Sequence, residues 1–446
     1  MSIIYNIIII IISLLLLRLA FYYGQNCRKE CLRTSSNSFF IDLVFLIFKM
    51  RITLFYLLPS VTRFIFEWEN DLYEKVYPSE ITSIYVFEFI SHIIYFLIFY
   101  RLCKNNKSDL SFLSDNKGGM NLIIYIVLVI FAFFAIVDTI SSFNSDFQNS
   151  DNLWMIKPLI SQVGCVSCFY IVALNKKFFN KKIFCLAIIV SIIYLATAFL
   201  SSIRGKVFWP ILWLMFCVYY FNKCQIKKYF IFSVVILAFL AVMQSGMTSS
   251  RGLETNDLST KINNILNAGS RDSKSLLIEI DYRFGALTRY SVGLLRLANE
   301  GRFAGLKPIV NSLYAPIPRF LMPEKPVPCS SEGDLYSMGM YMGSAKVTGI
   351  PTNMCEFSTA THAYWEIGIL GVILFSVIPA YYVFYSILFF RRFKILAPCF
   401  FMAIFKVWGY NDPKIWISEI VLDMIQIILI SYLSYKLLNL LGKFHR

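Results

Sequence analysis

Charge is absent from long stretches of this chain, such as Ile3–Leu17 and Asn121–Val137. Runs of about 20 apolar residues match the hydrocarbon thickness of a bilayer when coiled as helices. Such runs fall at 2–22, 39–60, 81–100, 120–140, 154–174, 183–200, 207–221, 229–247, 363–390, 396–409 and 415–440. The pattern therefore predicts an all-α polytopic membrane protein with about 11 transmembrane helices, in a range of about 10–12. Lys49 and Arg51 interrupt the second run, so that segment tilts, breaks, or faces a polar cavity. The tenth run is short and ends in Gly409–Pro413, which reads as a broken helix or a hairpin.

Composition sharpens this reading. The 446 residues are 57% hydrophobic and 15% charged, with a mean hydropathy of +0.62. Soluble domains are nearer 45–50% apolar and about 25% charged. A soluble enzyme, a disordered tail and a secreted disulfide scaffold are excluded. The first run lacks a basic leader and a small-residue cleavage site, so it is expected to be a retained helix rather than a signal peptide.

The net charge of +15 would suggest nucleic acid in a soluble protein, but here it sorts by connector. Arg28, Lys29 and Arg33 follow the first run; Arg101, Lys104, Lys107 and Lys117 follow the third. Lys176, Lys177, Lys181 and Lys182 follow the fifth, Lys223, Lys227 and Lys228 the seventh, and Arg391, Arg392 and Lys394 the ninth. Lys443 and Arg446 end the chain. The alternate connectors carry Glu67, Glu69, Asp71 and Glu74, or Asp146 and Asp151. By the positive-inside rule the N-terminus is extracytoplasmic and the C-terminus cytoplasmic.

One connector differs from the rest. Thr248–Thr361 holds 12 basic and 10 acidic residues, and is polar enough to fold in water on the extracytoplasmic side. The chain thus divides into an N-terminal bundle of about eight helices (1–247), this loop (248–361) and about three C-terminal helices (362–446). Within the loop, Leu258, Ile262, Ile265 and Leu266 have helical spacing, and Ser275–Glu300 reads as an amphipathic helix stopped by Gly301. The prolines of Pro308–Pro328 argue against helix, and Gly333–Gly349 reads as a flexible approach to the ninth run.

Eleven cysteines are mostly single residues in apolar helices, where a thiol behaves as a small hydrophobe. Cys165 and Cys168 lie inside one such run, without the soluble context of a redox or zinc motif. Cys329 and Cys355 share the external loop and could form a disulfide there. The three histidines are scattered, so no metal site and no cofactor are expected.

Candidate chemistry gathers on the outer face. Ser201–Lys206 contains Arg204-Gly, and Ser249–Gly252 contains Arg251-Gly; Arg271, Arg283, Arg289, Arg296 and Arg319 follow in the loop. Guanidinium suits bidentate phosphate binding, and a neighbouring glycine lets backbone N–H groups approach an anion. An arginine at a helix end equally serves by snorkelling to lipid phosphate. His362 and Glu366 are spaced i,i+4 at the start of the ninth run, on one helix face. The histidine can take a proton near neutral pH while the glutamate orients it. An interfacial histidine bonded to a neighbouring helix, with Glu366 pairing a loop arginine, is the other reading. His92 and Glu88 repeat the spacing inside the third run, where an ionisable residue is a functional candidate by default. Asp71, in the acidic first outer loop, is a further candidate.

Two stretches carry a family resemblance. Pro316–Pro326, PIPRFLMPEKP, resembles the "PR…P.KP" stretch of the Wzy-type repeat-unit polymerases of O-antigen and capsule. Glu366–Gly371, EIGILG, resembles their helix-opening "E.G..G" pattern. The late large loop and the outer arginines at Arg204 and Arg251 are similar in placement, and the resemblance spans roughly 195–375. It implies a GT-C-like fold in the bacterial inner membrane. It also implies transfer of a glycan from its undecaprenyl diphosphate carrier onto a new lipid-linked repeat unit, with a chain-length-regulating membrane protein as a possible partner. On that reading Arg204, Arg251, Arg319 and Arg289 hold the diphosphate, while His362 and Glu366 contact the acceptor. An O-antigen ligase shares this layout. A glycosyltransferase using a polyprenyl monophosphate sugar would rely on Asp71, and a lipid-linked oligosaccharide flippase would use Lys49, Arg51, Glu88 and His92.

Overall fold

In lipid an apolar run can satisfy its own N–H and C=O groups only as a helix or a closed barrel. The computed structural model describes residues 2–35, 38–66, 76–106, 181–200, 285–314, 321–324 and 358–390, with isolated positions at 211, 213, 216 and 317. Among these residues the regular structure is helical throughout. Among the described residues, three helices are long and apolar enough to span a bilayer: Ile3–Thr34, Pro78–Asn105 and Ile369–Phe389. The chain has the character of a helical membrane protein.

Helix α1, Ser2–Thr34, is longer than the run that predicts it and carries Arg28, Lys29 and Arg33 on its last turns. Its 33 residues measure about 50 Å at 1.5 Å each, so the basic end outruns an apolar layer of about 30 Å. Helix α2, Phe39–Arg51, passes through a π-helical turn, Ile52–Leu57, into α3, Leu58–Phe66. Pro59 has no N–H for the carbonyl of Phe55, and its ring crowds that carbonyl in an α-helix. A wider turn just before it relieves both. The second apolar run is therefore interrupted, one of the outcomes its charges allow. Helix α4 is Pro78–Asn105, begun by a proline and by the Glu80 carboxylate accepting the Tyr77 N–H at 2.9 Å.

Helix α5, Lys181–Leu200, matches the sixth run. The fourth, fifth, eighth, tenth and eleventh runs, and most of the seventh, lie outside the described residues. In the large loop, α6 is Ala286–Asn299. It ends where Gly301 (φ 77°) lets the Arg302 N–H reach the Leu297 carbonyl and its own N–H reach that of Ala298. The short helix α7, Lys307–Ser312, forms in a stretch whose prolines predict none. Pro308 occupies its first turn, where the missing N–H has no intrahelical partner to lose. The ninth run is two helices: α8, Thr359–Ile367, and α9, Ile369–Phe390, parted by Gly368.

The chain groups into two compact units. One contains residues 1–113, 277–393 and 403–425, and the other 114–276, 394–402 and 426–446; α5 belongs to the second. In the first, α4 is the central post. Phe45, Phe48, Tyr95, Phe96 and Phe99 form an aromatic stack between α2 and α4, with the Phe48 and Tyr95 centroids 4.7 Å apart. Gly24 of α1 permits close contact with the Phe45 ring, 3.0 Å from where a Cβ would stand. On another face, the Ser91 hydroxyl of α4 meets that of Ser376 of α9 at 2.8 Å.

Helix α6 packs Val292 and Leu295 against Ile84 of α4, and Arg296 grips Glu80 with two bonds of 2.6 and 2.9 Å. Its guanidinium also lies 5.6 Å from the Tyr77 ring centre. Arg296 thus fastens the loop to α4 rather than standing open for phosphate. Because the pair is partly solvated, Arg296→Ala should cost about 1 kcal/mol of stability. A double-mutant cycle with Glu80→Ala checks this; strict additivity would refute the pairing.

Candidate functional site

Helix α8 is short, enclosed, and tied down at both ends. Ser358 caps its start: its hydroxyl oxygen accepts the Thr361 N–H at 3.2 Å and the Thr361 hydroxyl at 3.1 Å. The same hydroxyl donates to Glu88 Oε1 on α4. Glu88 Oε1 also accepts the Ala360 N–H at 3.2 Å, so a carboxylate from another helix meets the N–H end of α8. A negative charge is favoured at that end by the helix dipole. The Ser358 N–H donates to the Ser291 hydroxyl of α6 at 2.8 Å.

At the far end, the last carbonyls of a helix have no partners within it. The Ala304 N–H donates to the Trp365 carbonyl at 3.1 Å, and the Gly305 N–H to the Glu366 carbonyl at 2.8 Å. Trp365 Nε1 returns a bond to the Arg302 carbonyl at 3.1 Å. Leu294, Leu297 and Ala298 of α6 bury the Trp365 ring, and Phe87 of α4 stacks on Tyr364 with centroids 4.5 Å apart. The large loop, α4 and α9 therefore share one small helix.

That helix carries His362 and Glu366, both with no exposed surface. Their i,i+4 spacing sets His362 Nδ1 3.5 Å from Glu366 Oε1, and the His362 ring lies edge-on to Trp365 at 5.4 Å. The separation is longer than a strong hydrogen bond. An acid–base pair often tightens only when substrate arrives. The pair is packed inside the first compact unit and not laid open at a surface. The arrangement can supply a proton acceptor and its orienting carboxylate to a group that reaches α8.

A second charged cluster lies at the other end of the Glu88 contact. Arg51 Nη2 is 3.6 Å from Glu88 Oε2, and both side chains are almost wholly buried. Arg51 also donates to the Tyr56 hydroxyl at 3.3 Å, across the π-helical turn. His92 Nδ1 is 2.7 Å from the Glu88 carbonyl oxygen and 3.5 Å from its Oε2. The Tyr85 hydroxyl donates to the Tyr56 carbonyl at 3.1 Å and lies 3.1 Å from the Ser60 hydroxyl. π-Helical turns interrupt α-helices frequently at functional positions. Lys49, the other basic residue of the second run, sits 4.1 Å above the Phe21 ring of α1.

The two Glu/His pairs, read separately from the sequence, are thus joined through Glu88, Ser358 and Ala360. Sequence reasoning missed Ser358, Ser291 and Tyr56. The Ser358–Thr361 spacing ahead of a helix was a signal for the first. The remaining sequence candidates Arg204, Arg251, Arg319, Asp71, Arg271, Arg283, Cys329 and Cys355 lie outside the described residues, as do Cys165 and Cys168. Arg289 lies on α6, with its side chain outside them. Cys27, Cys31 and Cys103 are buried thiols although they sit among the basic connector residues, where packing of α1 and α4 covers them, and Cys185, inside the sixth run, is exposed.

The site defines a helical membrane protein with an enclosed short helix bearing a His–Glu pair. No protein-family model, curated protein or solved structure matches the chain.

Proposed function

We propose that this protein is a glycosyltransferase that polymerises undecaprenyl-diphosphate-linked oligosaccharide repeat units into O-antigen or capsular polysaccharide. It would work at the outer face of the bacterial inner membrane, with the N-terminus extracytoplasmic and the C-terminus cytoplasmic. The observation that carries the reading is the seat of His362 and Glu366 on α8, held between the large loop and the membrane helices α4 and α9. That is where a lipid-borne donor and an extramembrane sugar would meet. The "E.G..G" resemblance adds to it, since Glu366, Gly368 and Gly371 build the junction of α8 with α9.

The chemistry asks little beyond these groups. Diphosphate is a good leaving group, and stabilising its charge with Arg204, Arg251, Arg319 and Arg289 is the larger requirement. His362 would take the proton of the acceptor hydroxyl as it attacks the anomeric carbon, with Glu366 orienting the ring. No metal or nucleotide sugar enters the scheme. Ligase and monophosphate-dependent alternatives keep the membrane layout and change the acceptor or donor. The flippase alternative draws on Lys49, Arg51, Glu88 and His92. Their contacts with Phe21, with one another and with α8 give them a use within the bundle instead.

The test is the surface-glycan ladder of a deletion strain. A single repeat without longer bands supports the polymerase; loss of even that repeat, or glycan stranded on its carrier, points to flippase or ligase. In complementation, His362→Ala and Arg251→Ala should leave the single-repeat pattern. Full activity in His362→Ala sinks the base assignment, and recovery in Arg251→Lys favours charge over bidentate geometry.

A further inference from the structure

The large loop is close to neutral and, by sequence, is expected to fold in water, yet its described part presents apolar side chains outward. Phe303, Val310, Leu313 and Leu321 are 47%, 47%, 48% and 67% exposed, and Tyr314 is 39% exposed. Their level relative to the membrane can be read from α9. That helix has 22 residues, about the number needed to cross the hydrocarbon layer, so both its ends lie near the edges of that layer. Ile369, Leu370, Ile373, Leu374, Ile378 and Tyr381 are exposed along it at helical spacing, a lipid-facing stripe that starts in its first turn.

The loop segment is bound to that first turn. Phe303 lies 4.0 Å from the position of a Cβ on Gly368, the residue before α9, and its ring is 6.2 Å from that of Tyr364. Ile309 of α7 packs with Ala363 of α8 and Phe375 in the second turn of α9. Residues 303–314 are therefore level with residues 368–375, at the edge of the hydrocarbon. Val310 and Leu313, beside the packed Ile309, are exposed apolar residues at that level. Lys307 on the same segment is an exposed cation that could reach a phosphate headgroup while apolar neighbours face the acyl chains, and Arg302, 3.6 Å from Glu300 Oε2, is exposed beside it. Tyr314, an exposed tyrosine, suits the headgroup level.

We infer that residues 302–314 form an interfacial membrane element: α7 and its flanking turns rest on the acyl edge of the bilayer beside α9, with Lys307 at the phosphates. The occupant of this apolar face is lipid. Because the same segment donates the Ala304 and Gly305 N–H bonds that close α8, the bilayer surface would directly support the helix that carries His362.

Photo-crosslinking tests this on the full chain reconstituted in vesicles of phosphatidylethanolamine and phosphatidylglycerol. A benzophenone amino acid replaces Val310, Leu313 or, as the lipid-facing reference, Leu374 of α9. All three positions are exposed, so folding is spared. Lipid adducts at Val310 and Leu313, in yields comparable to Leu374, are expected by mass spectrometry. Adducts at Leu374 with none at the other two overturn the inference, as do protein adducts in place of lipid at Val310 and Leu313. Neither outcome depends on the enzymatic reading, since no glycan is assayed.

Discussion

Arg51→Met should be among the most destabilising single substitutions in the first compact unit, by about 3–5 kcal/mol. Removing the guanidinium leaves Glu88 as a charge without its counter-ion in a fully enclosed position. Glu88→Gln should cost a similar amount for the converse reason, although an amide oxygen can still accept from Ser358 and the Ala360 N–H. The double variant Arg51→Met, Glu88→Gln separates pairing from simple packing. It removes both charges, keeps the volume of each side chain and preserves the cap on α8. A buried ion pair can often be replaced by neutral groups at little cost, because the desolvation penalty disappears with the charges. The double variant should therefore recover most of the stability lost by either single one. Apparent melting temperatures in detergent decide the matter, and losses that simply add would refute the coupling. Glu88→Ala, which also removes the acceptor for α8, should be worse than Glu88→Gln.

The elements of this fold were legible in proportion to how local their causes are. A helix across Pro78–Asn105 follows from an apolar run begun by proline and Glu80, and the end of α6 follows from Gly301. The overrun of α1 to Thr34 was not legible from hydropathy, since a helix can continue into water on Arg28, Lys29 and Arg33 once its spanning part is formed. The π-helical turn was visible only as a conflict, with Lys49 and Arg51 ahead of Pro59 in an apolar run. Pro59 gives its physical reason, and the hydrogen bond from Arg51 to the Tyr56 hydroxyl spans it inside the bundle.

The candidate site shows the same division. Spacing alone set His362 beside Glu366 and His92 beside Glu88, because i,i+4 contacts are made by the helix itself. That Glu88 reaches Ser358 and Ala360 was beyond the sequence. The two positions lie far apart in the chain, and a single charge in an apolar run has no periodicity that names its partner. Arg296 shows the limit of residue type as a guide. Its side chain suits phosphate, but packing of α6 on α4 delivers it to Glu80.

Gly371→Ala should be the severest of the glycine substitutions, and the reason lies in how α8 turns into α9. A Cβ on Gly371 would stand 1.9 Å from the Ala363 carbonyl oxygen and 2.8 Å from its carbon, both backbone atoms that no side-chain rotation can clear. Relief requires the first turn of α9 to move off α8, which would displace Ala363, the neighbour of His362. Overpacking of this kind costs about 3 kcal/mol at its upper end. Gly368→Ala meets a different obstacle: φ 69° and ψ −150° belong to a region open essentially to glycine, at a cost of about 1–3 kcal/mol. Gly301→Ala has open space around the new methyl and bears only the left-handed penalty of about 1–2 kcal/mol. The expected order of melting temperatures in detergent is thus Gly301→Ala above Gly368→Ala above Gly371→Ala. A Gly371→Ala protein as stable as wild type would refute the close approach of α9 to α8. On the proposed function, a folded Gly371→Ala that fails to restore the glycan ladder that Gly301→Ala restores would mean that the register of α8 against α9 is what Gly368 and Gly371 protect.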